Sequence, residues 1–479
     1  MASIDPLLEN SRTALGAIAD SAAQFIAARR EAQVGGGASD AEVNARLQVY
    51  DFSHATPLRT LAAEVFELLG THAVRSDHPR YFGLFNPPSL PAAIAGDLIA
   101  ATVNPQLAVR SHAPAAVEIE RKLLRTFGTR IGWAADEVSG AFTSGGSEAN
   151  HTALLAALAR RYPEWPEHGL RSITTRPAIY VSAQAHLAWI KIARSAGLGS
   201  DAVRLVSTRD GMRLGGQTLA SFVATDAGYD PMLVVATAGT TAHGAIDDLS
   251  GIAAVARNLG AHLHVDAAWA GGAMLADEGQ ALLCGIEKAD SVTIDPHKWL
   301  CVPMGAGMFL SRDWRPLETA FAVSTDYMPS ASRKQRDPYI HSLQWSRRFI
   351  GLKLFIALAN LGIDGYAEMI RRQLGLGRYL HSALLARGWQ VLNESPLPLV
   401  CFAPDTTTPD RQDTVVRRIV DHVVATGVAW LSTVDLRGRL VIRACITSYE
   451  TTQADVDLLL ELLDEARTRA SILAVGEPS

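Results

Sequence analysis

Two residues of this chain, one lysine and one aspartate, have the types and setting to share a reaction. Lys298 stands in Ser291–Pro303, SVTIDPHKWLCVP, just after the apolar-alternating run Ser291–Ile294 and between His297 and Trp299. A lysine at a strand end, entering a loop, can be desolvated enough to lose its proton and attack a carbonyl as a Schiff-base former. Alone, the tripeptide equally describes a surface lysine beside a packed tryptophan. One strand unit upstream, Asp266 ends the apolar run Ala261–Val265 and is followed by the small residues Ala267 and Ala268. Pyridoxal phosphate needs both groups, an amine for its aldehyde and a carboxylate for its ring nitrogen. The carboxylate keeps that nitrogen protonated, so the ring serves as an electron sink.

A third signal lies further upstream in Gly140–Asn150, GAFTSGGSEAN. A short apolar run ends at Thr143, glycines follow, and a helical pattern begins near Ser147. Glycines at a helix N-terminus let backbone amides approach a phosphate, so Gly145, Gly146 and Ser147 are candidate phosphate contacts. The plain alternative is a capped helix, with Ser147 as N-cap and Asn150 three residues on. His186 follows the apolar run Ala178–Ser182 and precedes a helical pattern. An imidazole there can stack on a pyridine ring and act as acid or base, though a lone histidine after a strand is more often a loop residue. Arg443, in RLVIRACIT, has apolar neighbours on both sides, and a half-buried guanidinium usually has an anionic partner.

HVDAAWAGG (His264–Gly272) and DPHKWL (Asp295–Leu300) resemble the two best-known signatures of the group II pyridoxal-phosphate decarboxylases. That family acts on aromatic amino acids, glutamate and cysteine sulfinate, and the resemblance runs from about Pro79 into the C-terminal region. It implies an aspartate-aminotransferase-like (fold type I) enzyme, a homodimer with sites at the subunit interface. It implies Lys298, His186 and Tyr327 as catalytic residues, Tyr327 being the place of the family's loop tyrosine. It implies cofactor contacts from Gly145, Gly146, Ser147, His186, Thr241, Asp266, Ala268, His297 and Lys298. Phe85, Asn86 and Arg443 become substrate contacts, Arg443 for the α-carboxylate. There are departures. Asn86 replaces the middle residue of a Phe-Pro-Thr run, Gly145-Gly146 stands where Ser-Ala is frequent, and Asp295 stands where Asn commonly donates to the phosphate. An ionised carboxylate cannot donate, so His297 or backbone amides are expected to carry the phosphate. The segment Asn104–Arg110, NPQLAVR, is where the family shapes substrate choice, and it has few large apolar groups here.

These residues need a scaffold, and the rest of the chain is consistent with one. At 479 residues, 48% hydrophobic and 19% charged, it reads as a globular protein of two or three lobes. A net charge of −5 gives no basic footprint for nucleic acid. Cys284, Cys301, Cys401 and Cys445 have no metal-ligand spacing and sit in apolar settings, as buried free thiols would. No signal peptide and no apolar run of roughly 20 residues is visible, so neither membrane nor export is expected and the location expected is cytoplasmic.

The pattern from Ala178 to Ser311 alternates short β-rich runs with helical ones, which predicts a mainly parallel sheet covered on both faces. The strands expected are Ala178–Ser182, Ala202–Ser207, Met232–Ala238, Ala261–Asp266, Ser291–Ile294 and Gly307–Ser311. Ligands then bind at the strands' carboxyl ends, where Thr143, His186, Thr241, Asp266 and Lys298 fall. Helices are expected at Leu15–Ile26 and Leu58–Leu69, and His78–Pro88 is too rich in turns to be one. The expected division is an N-terminal helical lobe (1–85), a large cofactor-binding domain (86–362) and a small C-terminal α/β domain (363–479). Phe321–Pro338 reads as a lid loop. The activity expected is decarboxylation of an L-amino acid, aromatic first, to the amine and carbon dioxide. The alternatives are an oxygen-dependent aldehyde synthase and a decarboxylase of acidic or aliphatic amino acids.

Overall fold

The computed structural model describes residues 11–35, 39–208, 212–323, 337–405 and 409–475. Its centre is a seven-stranded sheet of β1 (Ser139–Thr143), β2 (Pro177–Ser182), β3 (Val203–Val206), β4 (Asp230–Thr237), β5 (His262–Asp266), β6 (Ser291–Ile294) and β7 (Gly307–Ser311), in the order β1-β7-β6-β5-β4-β2-β3. The pairs from β3 through β6 are parallel, while β7 runs antiparallel to both β6 and β1. The mainly parallel α/β sheet is therefore present, closed on one side by an antiparallel strand.

Alternation along the strands explains the layers. Ala178 and Tyr180 of β2 enter one core, and Ile179 and Val181 enter the other. Helix Leu249–Leu259 supplies Ile252, Ala253 and Ala256 to the first core, and helix Gly146–Arg161 supplies Ala153, Leu154 and Ala157 to the second. A sheet buried on both faces needs apolar residues at every position, which is why its strands read as continuous apolar runs.

A second, antiparallel sheet has the order β10-β11-β9-β8, with β8 Trp389–Val391, β9 Leu399–Pro404, β10 Ser432–Leu436 and β11 Arg439–Cys445. The two sheets are joined by helix Gly351–Ala386, which is interrupted at Gly362, where φ is +71°. Only glycine adopts that conformation at little cost.

The N-terminal helices lie at Ser11–Ala27, Asp40–Leu47 and Leu58–His72. The middle one, opened by a capping box of Ser39 and Glu42, was not anticipated. Among the described residues, no helix is long and apolar enough to cross a membrane. One expectation fails: Cys284 is exposed, while Cys301, Cys401 and Cys445 are buried free thiols. Cys284 follows the turn after Leu282 and leaves the apolar side there to Leu283.

Candidate active site

The carboxyl ends of β1, β4, β5 and β6 open on one cavity of about 350 Å³, within the usual range for small-molecule sites. Gly145, Gly146 and Ser147 line it, with His186, Thr241, Asp266, Ala268, His297 and Lys298. All nine residues expected to touch the cofactor thus share one space. Tyr327 lies outside the described residues, as does most of the expected lid.

Asp266, the last residue of β5, is 6% exposed. Its Oδ1 accepts from the Ala268 amide at 3.1 Å and its Oδ2 from Asn150 Nδ2 at 2.8 Å. Asn150 was expected only as a possible helix-start residue, yet it is buried behind the aspartate. Turning its amide over would set a carbonyl against a carboxylate, so the amide direction is fixed. Its Oδ1 then accepts from His264 Nε2–H at 3.1 Å. That tautomer makes His264 Nδ1 an acceptor for the Ser291 hydroxyl at 2.8 Å, and Ser291 Oγ accepts from His262 Nε2–H, also at 2.8 Å. Burial holds both histidines neutral, His262 with a pKa down to about 4 and His264 well below its ordinary value. The result is a one-way chain of donors ending on Asp266.

Lys298 sits in the turn after β6, its side chain 25% exposed and its Nζ 2.8 Å from Asp295 Oδ2. His297 Nδ1 lies 2.6 Å from the Ala306 carbonyl and 3.2 Å from the Ala306 amide, and burial lowers its pKa. At Gly145–Ser147 helix Gly146–Arg161 leaves its first amides unused, a setting that suits a phosphate. Ser147 is not the N-cap: the helix begins at Gly146 without a side-chain cap, and Ser144 donates from N and Oγ to Glu148 Oε2 at 2.8 and 2.7 Å.

His186 is exposed and its Nδ1 accepts from the Ala188 amide at 3.1 Å, which leaves Nε2 available. Thr241 borders the cavity, whereas Thr240 is buried and caps its own turn, accepting from the Ala245 amide at 3.1 Å. The substrate candidates stand one contact away. Phe85 stacks on Trp269 with centroids 4.3 Å apart, and Asn86 lies 3.7 Å from the sulfur of Met304; Trp269 and Met304 both line the cavity. Arg443 is 2% exposed, contacts the carbonyls of Gly83 and Thr241, and lies over the Phe85 ring at 4.9 Å. Among the described residues no carboxylate is its partner, contrary to the ordinary expectation for a buried arginine, and its Nη2 is unpaired. Within one chain, Asn104, Pro105 and Gln106 are not brought to this cavity; they line another beside Ser346–Arg348.

The cavity suits pyridoxal phosphate on its own terms. Thr237 Oγ1 and Asp295 Oδ1 are buried, unpartnered and on its wall, so it is built for a polar guest. A Cβ on Gly146 would lie 2.8 Å from Asp295 Oδ2, so backbone approaches closely where a phosphate is expected. Asp266 supplies an anion for a pyridinium and Lys298 an amine for an aldehyde. No group of histidine, cysteine or acidic residues among the described ones could hold a metal.

Comparison with known proteins agrees. The model of the pyridoxal-dependent decarboxylase conserved domain matches residues 45–404. An aromatic-L-amino-acid decarboxylase of Bacillus atrophaeus is 26% identical over 411 residues, 84% of this chain and 83% of that one. The cysteine sulfinic acid decarboxylase of Homo sapiens is 32% identical over 341 residues, 69% of this chain and 68% of the relative. The crystal structure of Oryza sativa TDC with PLP and tryptamine superposes with a TM-score of 0.90 at 25% identity, covering 96% of this chain and 98% of the other. The shared fold is fold type I, the cofactor is pyridoxal phosphate, and the chain belongs to the pyridoxal-dependent decarboxylase family of amino-acid carboxy-lyases.

Proposed function

We propose that this protein works as a cytoplasmic homodimer that decarboxylates an aromatic L-amino acid to its amine, with Lys298, Asp266 and Gly145–Ser147 as the centre of the site. The observation that carries the reading is the convergence of these residues, from distant parts of the chain, on one cavity. Bound there, pyridoxal phosphate supplies an aldehyde for the substrate amine and a ring that accepts the electron pair left when carbon dioxide departs. Lys298 would hold the cofactor through its side-chain amine. Asp266, oriented by Asn150 and Ala268, would face the ring nitrogen and hold its proton. His186 covers the ring. Arg443 offers its unpaired Nη2 to the substrate carboxylate, which orients the bond to be broken. Tyr327, by its place in the sequence, returns a proton to Cα.

The aromatic preference is supported by Trp269 on the cavity wall, backed by two buried rings, Phe85 stacked on it and Trp299 at 5.5 Å between centroids. The homodimer is supported by the N-terminal helices. None of Leu58–His72 is buried, and Leu58, Val65 and Leu69 are exposed together with Leu15. A second copy covering that face would bury them. We divide the chain at 85 and at 362, the latter being the glycine that interrupts the joining helix.

The test is carbon dioxide release from a panel of L-amino acids. Tryptophan, tyrosine or phenylalanine should turn over well above glutamate and cysteine sulfinate. A reversed order would replace the aromatic reading by the acidic one.

A further inference from the structure

Asp295 is 2% exposed and stands between the amine and the helix start. Its Oδ2 lies 2.8 Å from Lys298 Nζ, and its Oδ1 is buried without a hydrogen-bond partner on the wall of the cavity. A methyl group built on Gly146 would come within 2.8 Å of Oδ2, so the carboxylate rests against the first turn of helix Gly146–Arg161. That turn offers unused amides and the positive end of the helix dipole, which favour an anion. The protein thus places a carboxylate of its own against the anion-favouring end of the site. His297 stands aside from the carboxylate, its Nδ1 against the Ala306 backbone and its Nε2 3.9 Å from Asp295 Oδ2, beyond hydrogen-bond distance.

We propose that Asp295 is an internal competitor of the cofactor's phosphate, making the site discriminate less between phosphorylated and unphosphorylated pyridoxal than its helix end alone would. The inference rests on the reading of Gly145–Ser147 as the phosphate seat. A phosphate arriving there meets a carboxylate whose one oxygen faces Lys298 and whose other has no donor. Two like charges close together in a buried site repel with little screening. Asp295 therefore acts on the phosphate end of the cofactor and leaves the ring end to Asp266.

The measurement uses the full-length protein stripped of cofactor and titrated separately with pyridoxal phosphate and with pyridoxal, following the ligand's absorbance. The quantity read is the ratio of the two dissociation constants, which cancels any change in the reactivity of Lys298. Asp295→Asn should raise the preference for the phosphorylated form by about tenfold or more. Asp295→Ala, which removes the charge without adding a donor, should raise it in the same direction. An unchanged or reduced preference in both variants would overturn the inference. So would a rise confined to Asn, which would report a new hydrogen bond instead of a lost repulsion. If the unaltered protein took up neither ligand, the functional reading beneath the inference would fall with it.

Discussion

Asp266 has two protein donors on its oxygens, and its work depends on the one that is not backbone. Asn150 Nδ2 is directed at it by the chain His262, Ser291, His264, so the amide matters by direction as much as by presence. Asp266→Asn keeps the shape and removes the charge, and turnover should fall by about a thousandfold or more while the phosphate end still binds. Near-native turnover would remove the electron-sink role. Asn150→Leu should lower turnover by about tenfold to a hundredfold, since it strips one donor from a carboxylate that stays in place. The check is kcat alongside cofactor affinity; a loss of affinity alone, with kcat intact, would make Asn150 merely structural. Tyr327 is argued from sequence position. A phenol closing over the site can protonate Cα before dioxygen reacts there. Tyr327→Phe should divert product to the aldehyde with oxygen consumed, read by an oxygen electrode beside amine quantification. Full amine yield without oxygen uptake would deny it the proton-donor role.

The lysine loop is held by an element far from it in sequence. Helix Gly351–Ala386 fixes the stretch from Trp299 to Met304 at three points. Lys353 Nζ donates to the Met304 carbonyl at 2.9 Å, Tyr366 to the Leu300 carbonyl at 3.1 Å, and Gln373 accepts from Trp299 Nε1 at 2.7 Å. The glycine segment is held by β7: a Cβ on Gly307 would lie 2.5 Å from Thr143 Oγ1 and 2.7 Å from the Gly145 backbone. Gly307 does not line the cavity. Gly307→Ala should nevertheless displace Gly145, weaken cofactor binding and cost about 1–3 kcal/mol of stability. Unchanged affinity and melting temperature would show that the loop yields freely. Strand β5 carries a pH liability. His262 is buried with a pKa of about 4 against an ordinary 6.5, so below pH 6.5 the unfolded chain takes up a proton that the folded chain refuses. Stability should therefore drop as pH falls from 6.5 towards 4, by about 3 kcal/mol from this residue. Denaturant melts at pH 7 and pH 4.5 should show a smaller acid loss in His262→Gln than in the unaltered protein; equal losses would place the sensitivity elsewhere.

At the scale of the molecule, exposed apolar residues at both Leu58–His72 and Pro91–Val103 (Leu98, Ile99 and Val103 in the latter) argue for a covering copy. Val65→Asp with Leu69→Asp should give a monomer by sedimentation and lower activity with it; a fully active monomer would remove the dimer from the account. How far the sequence could be read follows from what each element packs against. Ser291–Ile294 and Gly307–Ser311 were legible to the residue, because strands buried on both faces read as apolar runs bounded by Pro or Gly. Helix Pro91–Val103 was not, since it is apolar nearly all round and shows no stripe. Strand β10 was missed because its burial, confined to Leu436, leaves no alternating apolar pattern. The lysine, aspartate and glycines suggest their chemistry by their own types and neighbours, and the fold brings them to one cavity. Asn150 and the Asp295–Lys298 pair were not, because their meaning lies in geometry that only the folded chain supplies. The central claim, that Lys298 anchors the cofactor of an amino-acid decarboxylase, is tested by one paired experiment. Wild-type protein and Lys298→Ala are loaded with pyridoxal phosphate, treated with borohydride to trap any lysine linkage, and in parallel assayed for carbon dioxide from the best substrate of the panel. The account predicts a trapped cofactor on the peptide containing Lys298 and substrate-dependent carbon dioxide in the wild type, with both lost in the variant. A variant that still traps cofactor, or still releases carbon dioxide at the wild-type rate, would contradict it.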